Sequence, residues 1–338
     1  MTMPILTRRA ALASAAGLAL LAVPLRAQDS TRVTVALDWT PNTNHIGLFI
    51  ARDMGFYRDA GLDVEILPYT DTSAATLVAN HVADFGILGS IGLFTQRTAG
   101  ADLVAAYAVT QTETGRLVFK ANRSDIKSPK DLDGLTYGGF GSAWENALIG
   151  SIIRHDGGKG TFETVTLGTS AYQALENGAV DFTLEVYTWE GVKAELEGAA
   201  QRAFRYADYG VPDEHTALIG SSDAYLTANP DTARAFVEAT RKGYEFAVDH
   251  PDEATDLLVS ASKDALTDRT FVRASLQALI DGHYFRTADG ITGRIDPAKM
   301  TAIGDYLFTS QILKDGEGKV LAEKPDFSGY FTNLFFGG

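Results

Sequence analysis

The chain of 338 residues contains no cysteine, which excludes disulfides, thiolate chemistry, iron–sulfur clusters and cysteine-ligated zinc. It also lacks basic excess, with 29 Lys and Arg against 43 Asp and Glu and a formal net charge of −14. Residues 1–27 hold Arg8, Arg9 and Arg26 but no acid, so the remainder is more acidic still. Such a surface repels phosphate backbones and anionic lipid, which argues against nucleic-acid binding. Internal repeats, low-complexity tracts and long flexible linkers are missing too. No nucleophile, general base and orienting group form a recognisable set, and the six histidines are scattered. The only long apolar run is Ala10 to Leu25, about 16 residues, which is short for a bilayer core of ~30 Å. Preceded by Thr7-Arg8-Arg9 and followed by Leu25-Arg26-Ala27, it reads as a secretion signal of twin-arginine type, cut after Ala27, rather than as an anchor.

What is present is alternation. With 45% hydrophobic residues the chain can bury a large core and fill about two domains. Arg32 to Leu37 is β-branched and apolar, the pattern of a strand buried on both faces. A polar loop follows, and then Ile46, Phe49, Ile50 and Met54 fall on one helical face before Gly55. The unit recurs: strand Val64–Leu67, a helix capped by Ser73, strand Phe85–Leu88, and a helix capped by Ser90. A second series begins with Ser128-Pro129 and strand Leu135–Gly138, followed by helix Ala143–His155 and a strand near Thr164–Leu167. It continues with a Ser170-capped helix ending at Gly178, strand Phe182–Tyr187 and helix Trp189–Leu196. From Pro230 the pattern turns helical, with starts at Pro230, Pro251 and Pro297. The expected class is α/β, with parallel-rich sheets flanked by helices. With no linker between the two series, Leu117–Phe119 and Thr216–Gly220 are expected to cross between lobes. That places residues 29–119 with 217–338 in the first lobe and 120–216 in the second.

The segment Leu37 to Val64, opening Leu-Asp-Trp-Thr-Pro-Asn-Thr-Asn-His, closely resembles the start of bacterial solute-binding proteins that take up thiamine pyrimidine precursors. Ala83-Asp84-Phe85-Gly86-Ile87, Tyr137-Gly138-Gly139-Phe140-Gly141-Ser142, Tyr187-Thr188-Trp189-Glu190-Gly191 and Phe331-Thr332-Asn333 extend the likeness across the chain. The resemblance implies a two-lobed type II periplasmic-binding-protein fold that closes on a small heteroaromatic ligand. It also implies an inner-membrane ABC permease as partner, a periplasmic location, a monomer, and no cofactor. Relatives that carry riboflavin, sulfonates or nitrate are the alternative. The fungal enzyme branch that makes the pyrimidine uses a cysteine-rich segment, which this sequence lacks.

Candidate ligand contacts follow from position. Trp39 lies just past a strand's C-terminal end, where open α/β sheets bind ligands. Asn44 and His45 close the same loop; Asn44 is equally a helix cap, and His45 has no metal-ligand partner at helical spacing. Ser90 and the Gly139-Phe140-Gly141-Ser142 turn begin helices and are expected to offer free N–H groups to the cleft. Glu190 is the candidate for specificity, through a charge-assisted pair with an aminopyrimidine, and Tyr187 and Trp189 are candidate walls. Asp84-Phe85-Gly86 lacks any accompanying kinase motif and reads as a strand entry.

Overall fold

The computed structural model describes residues 30–70, 72–262 and 265–336, so the secretion signal expected at 1–27 lies outside the described residues. The β-branched run after residue 30 forms β1 (Thr31–Ala36), which pairs in parallel with β2 (Leu62–Leu67) and β3 (Phe85–Gly89). Between them lie α1 (Ile46–Asp53), α2 (Phe56–Asp59) and α3 (Ala74–Ala79), the last capped by Ser73, which accepts from Thr76 N–H at 3.2 Å. Asp84 ties β3 to β1, its Oδ2 accepting from Thr34 N–H at 2.7 Å and Thr34 Oγ1 at 2.9 Å. Helix α4 (Ser90–Thr98) leads to β4 (Val104–Ala108). The first sheet is completed by β10 (Ala217–Ser221), antiparallel to both β3 and β4, in the order β2-β1-β3-β10-β4.

The second sheet repeats the plan. It contains β5 (Gly115–Lys120), β6 (Thr136–Gly139), β7 (Glu163–Thr166), β8 (Phe182–Val186) and β9 (Gln201–Arg205), ordered β7-β6-β8-β5-β9. Here β5 is the antiparallel member, and α5 (Ala143–His155), α6 (Ser170–Asn177) and α7 (Val192–Leu196) flank it. After β10 come α8 (Asp223–Ala228), α9 (Pro230–Asp249), α10 (Pro251–Ala261), α11 (Arg269–Asp281) and α12 (Pro297–Thr309). Three of these begin at the prolines, which need no N–H in the first turn. Phe331 bridges to Ala105, and Thr332 N–H donates to Ala105 O at 2.8 Å, which fastens the end of the chain to β4.

Of the two segments expected to cross between lobes, Ala217–Gly220 lies inside β10, and Leu117–Phe119 inside a strand of the second sheet. The latter residues are the middle of β5, paired on one side with β8 and on the other with β9. Their apolar run reflects burial inside a sheet, because Leu117 and Phe119 face one side and Val118 the other. The segments between the sheets are 109–114 and 210–216, and they are tied to each other. Val109 N–H donates to Ala217 O at 2.9 Å, Thr114 N–H to Thr216 Oγ1 at 2.9 Å, and Ala217 N–H to Thr110 Oγ1 at 3.1 Å. Strand Phe182–Tyr187 stops one residue short, and Tyr187–Gly191 winds as a π-turn before α7. Such turns insert one extra residue per turn and re-aim side chains. Among the described residues no helix is long and apolar enough to cross a membrane.

Candidate functional site

Between the two sheets lies a cavity of about 480 Å³, and the loop after β1 supplies its first wall. Trp39 sits there with its ring centroid 5.4 Å from Tyr69 and 5.5 Å from Phe140, the latter edge-on at 75° and carried by the second sheet's β6–α5 loop. Trp144 and Tyr206 extend the aromatic lining. A neighbouring cavity of about 410 Å³ shares Trp39 with it and is lined also by Tyr172, Trp189 and Glu190. The lobes meet again beside it: Trp189 lies 4.3 Å from Phe271 of α11, and Ser275 donates to Thr188 O.

The polar lining of the larger cavity is acidic. Asp38, Glu113, Glu145, Glu185 and Glu214 contribute, and no Lys, Arg or His is among the lining residues. Burial raises the proton affinity of Glu145, although it accepts from Gly141 N–H at 3.0 Å and Phe140 N–H at 3.1 Å. Glu214 is 3% exposed; burial, then repulsion from Glu113, pushes its carboxyl well above the ordinary value. Its Oε2 accepts from Ser90 Oγ. Glu113 Oε1 accepts from Gly115 N–H and from Thr216 Oγ1 at 3.0 Å, so both crossing segments deliver a carboxyl group to the cavity wall. Glu185 is ion-paired with Arg116 at 2.6 Å.

The residues expected from sequence divide into three groups. Trp39, Ser90, Phe140 and Ser142 line the larger cavity, and Trp39, Trp189 and Glu190 the smaller. Burial pushes the Glu190 carboxyl up to about 7, and its Oε2 accepts from Val186 N–H at 3.2 Å. Tyr187 turns aside, its ring lying 4.2 Å beneath the Arg116 guanidinium. Asn44 and His45 line neither of these two cavities. Asn42 takes the capping role by accepting from Asn44 N–H at 2.8 Å, and His45 Nε2 pairs with Asp38 Oδ1 at 2.8 Å.

The expectation of free N–H groups at the glycine turn is corrected: Glu145, itself buried at the start of α5, takes those of Phe140 and Gly141. Gly139 and Gly141 are there for the turn's shape. A Cβ at Gly139 would lie 2.3 Å from the Tyr137 hydroxyl, and Gly141 has φ +78°. Ser90 does not cap α4 either; Gly89 occupies that position and the serine hydroxyl goes to Glu214.

Several site residues escaped the sequence reading, namely Tyr69, Glu113, Glu145, Tyr172, Glu185 and Glu214. Two carried a signal. Ser142-Ala143-Trp144-Glu145 has capping-box spacing, and Glu185 interrupts a strand whose neighbours are apolar. Among the described residues no group of three His, Asp or Glu is placed to hold a metal ion.

Comparison with known proteins agrees with this architecture. The family model NMT1/THI5 like matches residues 42–254. The formylaminopyrimidine-binding protein of Halalkalibacterium halodurans is 29% identical over 238 residues, covering 69% of this chain and 71% of that protein. A 4-amino-5-hydroxymethyl-2-methylpyrimidine phosphate synthase of Saccharomyces cerevisiae is 25% identical over 241 residues, covering 67% and 70%. The alkanesulfonate-binding protein SsuA of Xanthomonas axonopodis pv. citri, bound to MOPS, superposes with a TM-score of 0.62 at 14% identity, covering 85% of this chain and 96% of that one. The last is a likeness of fold, with two α/β lobes and a cleft between them.

Proposed function

Since this chain belongs to the NMT1/THI5-like family, we propose that it is the exported substrate-binding protein of an ABC importer, and that it captures an amino-substituted pyrimidine of the kind used to build thiamine. One observation carries the choice of ligand. The cleft combines stacking rings (Trp39, Tyr69, Phe140 and Trp144) with five acidic side chains and no basic one. Flat rings favour a heteroaromatic ligand, since aromatic pairs add about 0.5–1.5 kcal/mol beyond burial. Carboxyl groups favour N–H donors and repel sulfonate, nitrate and phosphate, so the anion-carrying alternative fits this lining poorly. Several relatives are named as synthases; absence of cysteine and the acidic cleft favour a carrier over that chemistry.

On this reading the segments 109–114 and 210–216 are the hinge, with residues 30–108 and 217–336 in one lobe and 115–209 in the other. Ligand lodged in the cavity that Trp39 of one lobe and Phe140 of the other both line keeps the lobes together, and a membrane permease receives the closed monomer. Thermal melting against aminopyrimidines, flavins and alkanesulfonates tests it, with mass spectrometry of whatever co-purifies. A ligand at a hundred times its Kd adds about 2.7 kcal/mol of stability. Aminopyrimidines are expected to raise the Tm and to be recovered unchanged. Stabilisation by sulfonates alone, or consumption of the pyrimidine, would refute the carrier reading.

A further inference from the structure

The two cavities share Trp39 and Glu185, which line both. Glu185 comes from β8 and is 1% exposed. Arg116 stands directly across from it on β5, and reaches it with Nε at 2.8 Å and Nη2 at 2.6 Å. Both contacts fall on Oε1; among the described residues Oε2 accepts no hydrogen bond. This half-paired state is built rather than accidental. Tyr187 supports the guanidinium from below at 4.2 Å, and Gly191, the last residue of the π-turn, leaves room for the pair. A Cβ at Gly191 would lie 2.6 Å from Arg116 Nη2 and 3.2 Å from Glu185 Oε1.

Burial raises the proton affinity of Glu185, and Arg116 opposes that by holding its charged form. Oε2 is left without a protein donor at a residue that lines both cavities, where a ligand N–H can supply one. Glu145, Glu190 and Glu214 also accept at one oxygen, from backbone N–H groups or Ser90, but among the described residues none of them is paired with a cation; Glu185 alone of these four lines both cavities and has a guanidinium opposing the loss of its charge.

We propose that Glu185 is a ligand-anchoring residue, its Oε2 accepting a hydrogen bond from an N–H of an amino-substituted ring lodged against Trp39, with Arg116, Tyr187 and Gly191 as positioning residues. This rests on the reading of the cleft as a site for an aminated heteroaromatic ring. It adds which carboxylate recognises the amine, and it gives the glycine of the Tyr-Thr-Trp-Glu-Gly motif a task.

Calorimetric titration of the protein with 4-amino-5-hydroxymethyl-2-methylpyrimidine, and with the same ring carrying a 4-oxo group in place of the amine, tests the assignment. In Glu185→Gln the amide oxygen faces Arg116 and the NH2 faces the ligand, reversing donor and acceptor. Affinity for the amino probe is therefore expected to fall about tenfold to a hundredfold, while affinity for the oxo probe holds or rises. A merely structural role would move both together. Glu185→Asp keeps the charge but withdraws the acceptor by one methylene. It guards against a glutamine variant that fails to fold, and is also expected to lose affinity for the amino probe. An unchanged amino-to-oxo ratio in Glu185→Gln, or wild-type affinity in Glu185→Asp, overturns the assignment of Glu185 alone. Wild-type protein that binds neither probe overturns the pyrimidine reading and this assignment with it.

Discussion

A carboxyl group titrating near neutrality, as at Glu190, changes its charge within the range where the protein works. Burial is the main cause, and the Val186 N–H only partly offsets it. The folded state holds this proton more tightly than the unfolded chain, whose glutamates titrate near about 4.3. Stability from this group is therefore complete below that value, declines as pH rises towards 7, and is flat above. Glu190→Gln removes the slope. The Tm of the variant relative to wild type is expected to climb between mildly acid and neutral pH and then level off, as followed by melting in matched buffers. A difference that stays constant across the range would mean that Glu190 is hydrated and ordinary.

Helix α1 carries the loop that presents Trp39, and its seat on α9 fixes where that loop begins. Two glycines make the seat. A Cβ at Gly47 would lie 2.3 Å from the Tyr244 ring, and one at Gly243 only 2.1 Å from Gly47 O. Tyr244, kept by this contact, donates its hydroxyl to Asn44 O at 2.6 Å. In an exposed helix, Gly→Ala gains up to about 1 kcal/mol. Here the backbone of α1 blocks the methyl group, and overpacking costs about 1–3 kcal/mol. Gly243→Ala is thus expected to lower stability by denaturant titration and to weaken ligand binding through the displaced loop. A neutral or stabilising result would show that the helices are not so closely seated. At this scale the alternating strands and the proline-started helices were legible in sequence, since period and punctuation are local. Strand β4, rich in alanine, and β9, polar at a sheet edge, gave no such pattern and were found only by their pairing.

At the scale of the whole molecule, a net charge of −14 and an acidic cleft act together on anything approaching. A cationic ring is steered in, and the effect is screened by salt within a Debye length of about 8–10 Å. Association followed by tryptophan fluorescence, for which Trp39 and Trp144 are placed in the cleft, is expected to slow as ionic strength rises for a protonated aminopyrimidine. For a neutral ring of the same shape it should hold steady. Equal salt dependence for both would remove electrostatic steering from the account. What the sequence by itself determined was the class of this protein. Alternating periods dictate α/β layers, and the motifs from Leu37 to Gly191 belong to one family, because both are properties of neighbouring residues. What only the tertiary structure decided was the site. Glu185 and Arg116 are 69 residues apart in the chain, and Glu113 and Glu214 lie on separate crossings. How far each carboxyl group's proton affinity is raised, and which donors it meets, depends on burial and on partners brought from distant strands. No local pattern encodes that.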